Sequence, residues 1–97
     1  MQSPLKVAIR GMAPSPTLED CVAECATKLE KANPRIVSCD VRIEPCGHHR
    51  AHGRLYAVKV EVRAPGKPAV VSHQEHEDVF VAARNAFDSI RRTLARD

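Results

Sequence analysis

The sequence predicts an α+β domain, a four-stranded sheet with two helices packed on one face, in the order β-α-β-β-β-α. Three observations predict it. Four stretches alternate apolar and polar residues, the pattern of a strand buried on one side. Two stretches repeat apolar residues at steps of three and four, the stripe of a helix with one buried side. A chain of 97 residues supports one modest core, so residues 1–97 read as a single domain. Six elements with one apolar side each are satisfied most economically when both helices cover the same sheet face.

The first element is "PLKVAIRG". Leu5, Val7 and Ile9 point one way, Lys6, Ala8 and Arg10 the other, and Gly11 stops the strand. A helix follows. Ser15 is its N-cap, Pro16 takes the first helical position, and Leu18, Val22, Cys25 and Leu29 form its stripe. Asn33-Pro34 ends it. "RIVSCDVRIE" is the second strand, with Val37, Cys39, Val41 and Ile43 inward. "PCGHHRAHG" reads as a loop. "RLYAVKVEVR" is the third strand, with Tyr56, Val58, Val60 and Val62 on one face. "APGK" is a turn, and "PAVVSH" is a short fourth strand reaching through Val71; Pro68 suits its start or an edge position. Three consecutive strands suit an antiparallel meander. The last element is "HEDVFVAARNAFDSIRRTLARD". Val79, Ala83, Phe87, Ile90 and Leu94 make its stripe, widened by Ala86. Glu77 and Asp78 are expected in its first turn, with His76 near the N-cap, and Arg91, Arg92 and Arg96 near its end, as the helix dipole favours.

Composition narrows the function classes. No run approaches a membrane span, and no charged-then-apolar signal pattern opens the chain, so the expected location is cytoplasmic. The net charge of +3 permits a nucleic-acid partner without demanding one. Tyr56, Phe80 and Phe87 are the only aromatic residues, and all three are expected in the core, so any RNA contact is to phosphate and sugar rather than by base stacking. The four cysteines are read as reduced: Cys25 and Cys39 on core faces, Cys21 at a helix edge, Cys46 in a loop.

Two groups of residues are candidates for a site. Arg10, Lys28, Lys31, Arg84, Arg91, Arg92 and Arg96 are basic and lie on or next to the two helices. A plainer reading also fits, since Arg84, Asp88 and Arg92 are spaced at four and form an ordinary salt-bridge ladder. Cys46, His48, His49 and His52 have the chemistry of transition-metal ligands, but no second ligand pair at a familiar spacing joins them, and the expectation is no metal. Cys46 beside these histidines also mimics a nucleophile and base, but such pairs come from rigid elements, so no catalytic residue is assigned.

Taken in this order of elements, "KLEK" closing the first helix, "PG" in the strand turn and "HEDVFVAARNAFDSIRRTL" resemble the ribosome hibernation-promoting factor / RaiA family. "RGM" before a Ser-Pro helix start fits the same family. The resemblance covers nearly the whole chain. It implies a fold similar to the double-stranded-RNA-binding domain. It implies binding to the small ribosomal subunit, between head and body, where messenger and transfer RNA would sit, and silencing of translation under stress or in stationary phase. It also implies that Arg10, Lys28, Lys31, Arg92 and Arg96 face ribosomal RNA, since they fall at positions basic in the family; Arg84 and Arg91 share the second helix. The sequence departs from the family at Glu19, Asp20 and Glu24, which make the first helix less basic, at Ser89, where a lysine is common, and in the longer histidine loop. With the chain ending after the second helix, the resemblance implies the short form of the family. The expectation is a non-enzymatic, cytoplasmic protein with no cofactor, no membrane partner and no small-molecule substrate, monomeric off the ribosome. Two other readings stay open: a same-fold module for another structured RNA, and a metal- or redox-responsive regulator using the cysteine and histidine loop.

Overall fold

Alternation along the strands and three-four spacing along the helices sort the apolar residues onto one side of each element, and the six elements meet there. The computed structural model describes residues 5–49 and 53–96. The order is β1 (Leu5–Ile9), α1 (Pro16–Ala32), β2 (Ser38–His49), β3 (Gly53–Arg63), β4 (Val70–His76) and α2 (Val79–Ala95). The strands lie in the order β1-β2-β3-β4. β1 runs parallel to β2, with Leu5 opposite Cys39 and Ile9 opposite Ile43. β2, β3 and β4 form the antiparallel meander. The core is sealed by Leu18, Val22 and Leu29 from α1 and Phe87 and Ile90 from α2, over Cys39, Val41, Ile43, Val58, Val60 and Val62 of the sheet. Ala82, Ala83 and Ala86 are fully buried, small enough to let α2 lie close on β3 and β4.

These pairings fix the helix directions. β1, β2 and β4 all run the same way, and each helix follows one of them. Both helices therefore return antiparallel to those strands, and their C-terminal ends lie at one end of the sheet.

Four local expectations are corrected. The stretch read as a loop from Pro45 is mostly strand, because β2 continues to His49 and β3 begins at Gly53. A register shift between Pro45 and His48, with Gly47 at φ +132°, absorbs the two residues that look like breakers. The fourth strand does not start at Pro68 but spans Val70–His76, pairing from Val62↔Val70 to Tyr56↔His76. Its inward positions include Ser72 and Gln74, which hide the alternation. Asp78 is the N-cap of α2, accepting from the Phe80 N–H at 2.9 Å, so Glu77 and Asp78 precede the first turn; His76 ends the strand, and its Nδ1 accepts from the Asp78 N–H at 2.9 Å. Ile36, not Val37, is buried: the Ile36 N–H donates to the Asn33 carbonyl, turning the chain before β2 begins, and leaves Val37 48% exposed.

The apolar stripe of α1 is centred on Leu18, Val22, Ala26 and Leu29. Cys25 lies at its edge and is only half-buried, whereas Cys39 is fully buried. Phe87 is buried, and Tyr56 and Phe80 are half-buried.

Candidate nucleic-acid interface

The two caps of α1 set where its lysines stand. Ser15 Oγ accepts from the Leu18 N–H at 3.2 Å, with Pro16 at the first helical position. At the other end the Asn33 N–H donates to the Leu29 and Glu30 carbonyls, and its side-chain amide donates to the Leu29 carbonyl at 3.1 Å. Lys28 and Lys31 thus occupy the last turns, both exposed. α2 ends beside them, with Arg96 as its C-cap.

A groove of about 170 Å³ separates the helices, lined by Cys25, Lys28 and Leu29 of α1 and Arg84, Phe87, Asp88 and Arg91 of α2. Three cations therefore surround one carboxylate. Asp88 accepts from Arg91 at 2.5 Å and lies 3.3 Å from the Arg92 guanidinium. The expected ladder is thus half right. Arg92 pairs with Asp88, but the second partner is Arg91, three residues away, and not Arg84. The hydrogen bond from Arg91 holds the Asp88 carboxyl below its ordinary value, and the charges of Arg92 and Arg91 act in the same direction. Both arginine side chains stay about three-fifths exposed, at 59% and 63%. On the α1 side, burial pushes the Cys25 thiol up, its neighbour Cys21 adds to this, and Lys28 and Arg84 oppose it.

The same end of the molecule carries two cations that sequence reasoning missed. Arg35, just after α1, and Lys67, in the β3–β4 turn, line a second pocket with Asn33 and Leu94. Loop residues carry no periodicity to mark them; the signal lies in topology, since both connections fall where the helices end. Arg10 is placed elsewhere. Its N–H donates to the Ile43 carbonyl at 2.9 Å, at the N-terminal end of α1. α1 has 17 residues and so separates Arg10 by about 25 Å from the cations at its other end.

Cys46 is exposed on β2. Partial desolvation, then the carboxylates of Glu75 and Glu44, hold its thiol above the ordinary value. His52 and the side chains of His48 and His49 lie outside the described residues. Among the described residues no three His, Cys, Asp or Glu side chains gather as metal ligands. Among the described residues no helix is long and apolar enough to cross a membrane.

A β-α-β-β-β-α order with a four-stranded sheet and two helices defines a class of small α+β proteins. The chain belongs to the Sigma 54 modulation protein / S30EA ribosomal protein family, whose sequence profile matches residues 5–97. This bears out the family resemblance seen in the sequence. Two solved structures share the fold. A ribosomal subunit interface protein from Coxiella burnetii is 13% identical, with 95% of this chain and 93% of that one aligned at a TM-score of 0.78. The N-terminal domain of Thermus thermophilus Protein Y is 18% identical, with 99% and 98% aligned at a TM-score of 0.79. No curated protein sequence matches the chain.

Proposed function

We propose that this protein is a ribosome hibernation factor that binds the RNA of the small ribosomal subunit and silences translation by occlusion, without catalysing a reaction. One observation carries the reading. The two helices of a domain from this family run in the same direction, so Lys28, Lys31, Arg84, Arg91, Arg92 and Arg96 gather along one groove and one end. Neutralisation of phosphates by these cations supplies affinity, and the shape of folded RNA supplies selectivity. Arg91 and Arg92 exchange Asp88 for phosphate oxygens on binding. Arg10 makes a separate contact at the far end of α1, and Arg35 and Lys67 extend the basic end. Seated between head and body of the subunit, the protein excludes messenger and transfer RNA sterically. It acts in the cytoplasm as a monomer off the ribosome, with no cofactor and no small-molecule substrate.

The test is co-sedimentation with small subunits across a salt titration. Arg92→Glu with Arg96→Glu should leave the fold intact, abolish co-sedimentation near physiological salt and relieve translation inhibition. Each phosphate contact removed by milder substitution should flatten the salt dependence by about one unit of slope. A folded double variant that binds like the parent at every salt concentration would remove these helices from the interface. Binding to other structured RNAs but not to ribosomes would favour the same-fold RNA module instead.

A further inference from the structure

The groove contains one thiol that phosphate binding does not use, Cys25, and a second, Cys21, lies one helical turn before it. Cys21 and Cys25 are four residues apart on α1, so they sit one above the other on the same helical face. Both are half-exposed free thiols, and Cys21 is close enough to act on the Cys25 thiol. Cys25 lines the groove beside Lys28, Arg84 and Arg91. At this helical spacing Cβ atoms lie ~5–6 Å apart, beyond the ~3.5–4.5 Å that a disulfide needs. A direct S–S bond would distort the helix, whereas an ion placed between the two sulfurs accepts the wider spacing.

We propose that Cys21 and Cys25 form a binding site for a soft monovalent cation of the Cu(I) class, held by two thiolates. Soft thiolate ligands select such an ion. A structural zinc site takes four ligands, and no third His, Cys, Asp or Glu completes a set with this pair among the described residues. Two sulfurs saturate a two-coordinate ion. Binding displaces two thiol protons, so the bis-thiolate complex carries one net negative charge. Lys28 and Arg84, whose charges already act on Cys25, face and stabilise that complex. Cys39 does not compete, because burial pushes its thiol up to about 12. The filled site places an anion among cations that otherwise meet phosphate, which ties metal occupancy to RNA binding; this link rests on the RNA-binding reading.

The experiment titrates the reduced protein with Cu(I) under anaerobic conditions against a chromophoric chelator. The parent and Cys46→Ser should each take one ion per chain from the chelator. Cys21→Ser and Cys25→Ser should each lose that ion while keeping the parent's circular dichroism. No uptake by the parent, uptake unchanged in both helix variants, or uptake lost in Cys46→Ser would overturn the site. In a second arm, copper should weaken co-sedimentation of the parent with small subunits and leave that of Cys25→Ser unchanged. Copper uptake with undiminished co-sedimentation refutes the link and leaves the site standing. A copper-free parent that fails to co-sediment refutes the RNA-binding reading and not the site.

Discussion

Asp88 governs how two of the basic side chains stand before any partner arrives. It holds Arg91 by a hydrogen bond and Arg92 at 3.3 Å, on the open side of α2. Because the folded carboxyl titrates below its ordinary 3.8, the sign is clear. The pair's contribution is complete above that ordinary value and is lost only as pH falls through the depressed one. Neutral pH therefore leaves the arrangement intact, and release requires competition from another anion. Asp88→Asn removes a negative charge from the groove and frees both guanidinium groups. It should tighten binding to small subunits several-fold at moderate salt and steepen the salt dependence by about one unit. Weaker binding by a folded Asp88→Asn protein would mean that Asp88 orients the arginines for RNA rather than withholding them. The spacing of Arg84, Asp88 and Arg92 made a ladder legible in the sequence. It could not choose Arg91 over Arg84, since neighbours at three and four residues both reach the same carboxylate.

At the scale of elements, legibility followed the strength of the apolar pattern. β2 and β3 alternate cleanly, and Val41, Ile43, Val58 and Val60 are buried as expected. β4 was displaced because Ser72 occupies an inward position while Val71, on the opposite face, is 50% exposed. The hydroxyl of Ser72 is buried without a hydrogen-bond partner among the described residues. Such a group costs roughly 1–3 kcal/mol when desolvated. Ser72→Ala should therefore raise unfolding stability by about 1 kcal/mol, offset in part by the small space the oxygen leaves. Phe87→Ala should act the other way, costing about 3–5 kcal/mol through a cavity between α2 and the sheet. Chemical denaturation of the two variants checks both signs. A destabilised Ser72→Ala would show that the hydroxyl has a partner after all, and an unchanged Phe87→Ala would deny that this face of α2 is core.

For the whole molecule, the decisive fact is one that no local pattern contains. The cations of α1 and α2 share an end because β1 pairs parallel to β2 and β4 runs with them, which sends both helices back the same way. Two helices on one sheet face were readable from the sequence, and with them a basic surface shared by Lys28, Lys31 and the α2 arginines, but the partner of β1 was not, so the arrival of Arg35 and Lys67 at that end did not follow. The same topology sets Arg10 apart by the length of α1. If RNA meets both basic regions, as proposed, a prediction about additivity follows. Residues that share partners couple, whereas sites more than ~7–10 Å apart contribute independently. Lys28→Glu and Arg91→Glu, facing each other across one groove, should therefore be non-additive in their effect on small-subunit binding, because the first removes the phosphate contact that the second would weaken. Arg10→Glu and Arg96→Glu should add. Double-mutant cycles at one fixed salt concentration measure both couplings. If Arg10 and Arg96 prove as strongly coupled as Lys28 and Arg91, the subunit does not grip the two ends of α1 separately, and Arg10 affects binding through the fold rather than by touching RNA.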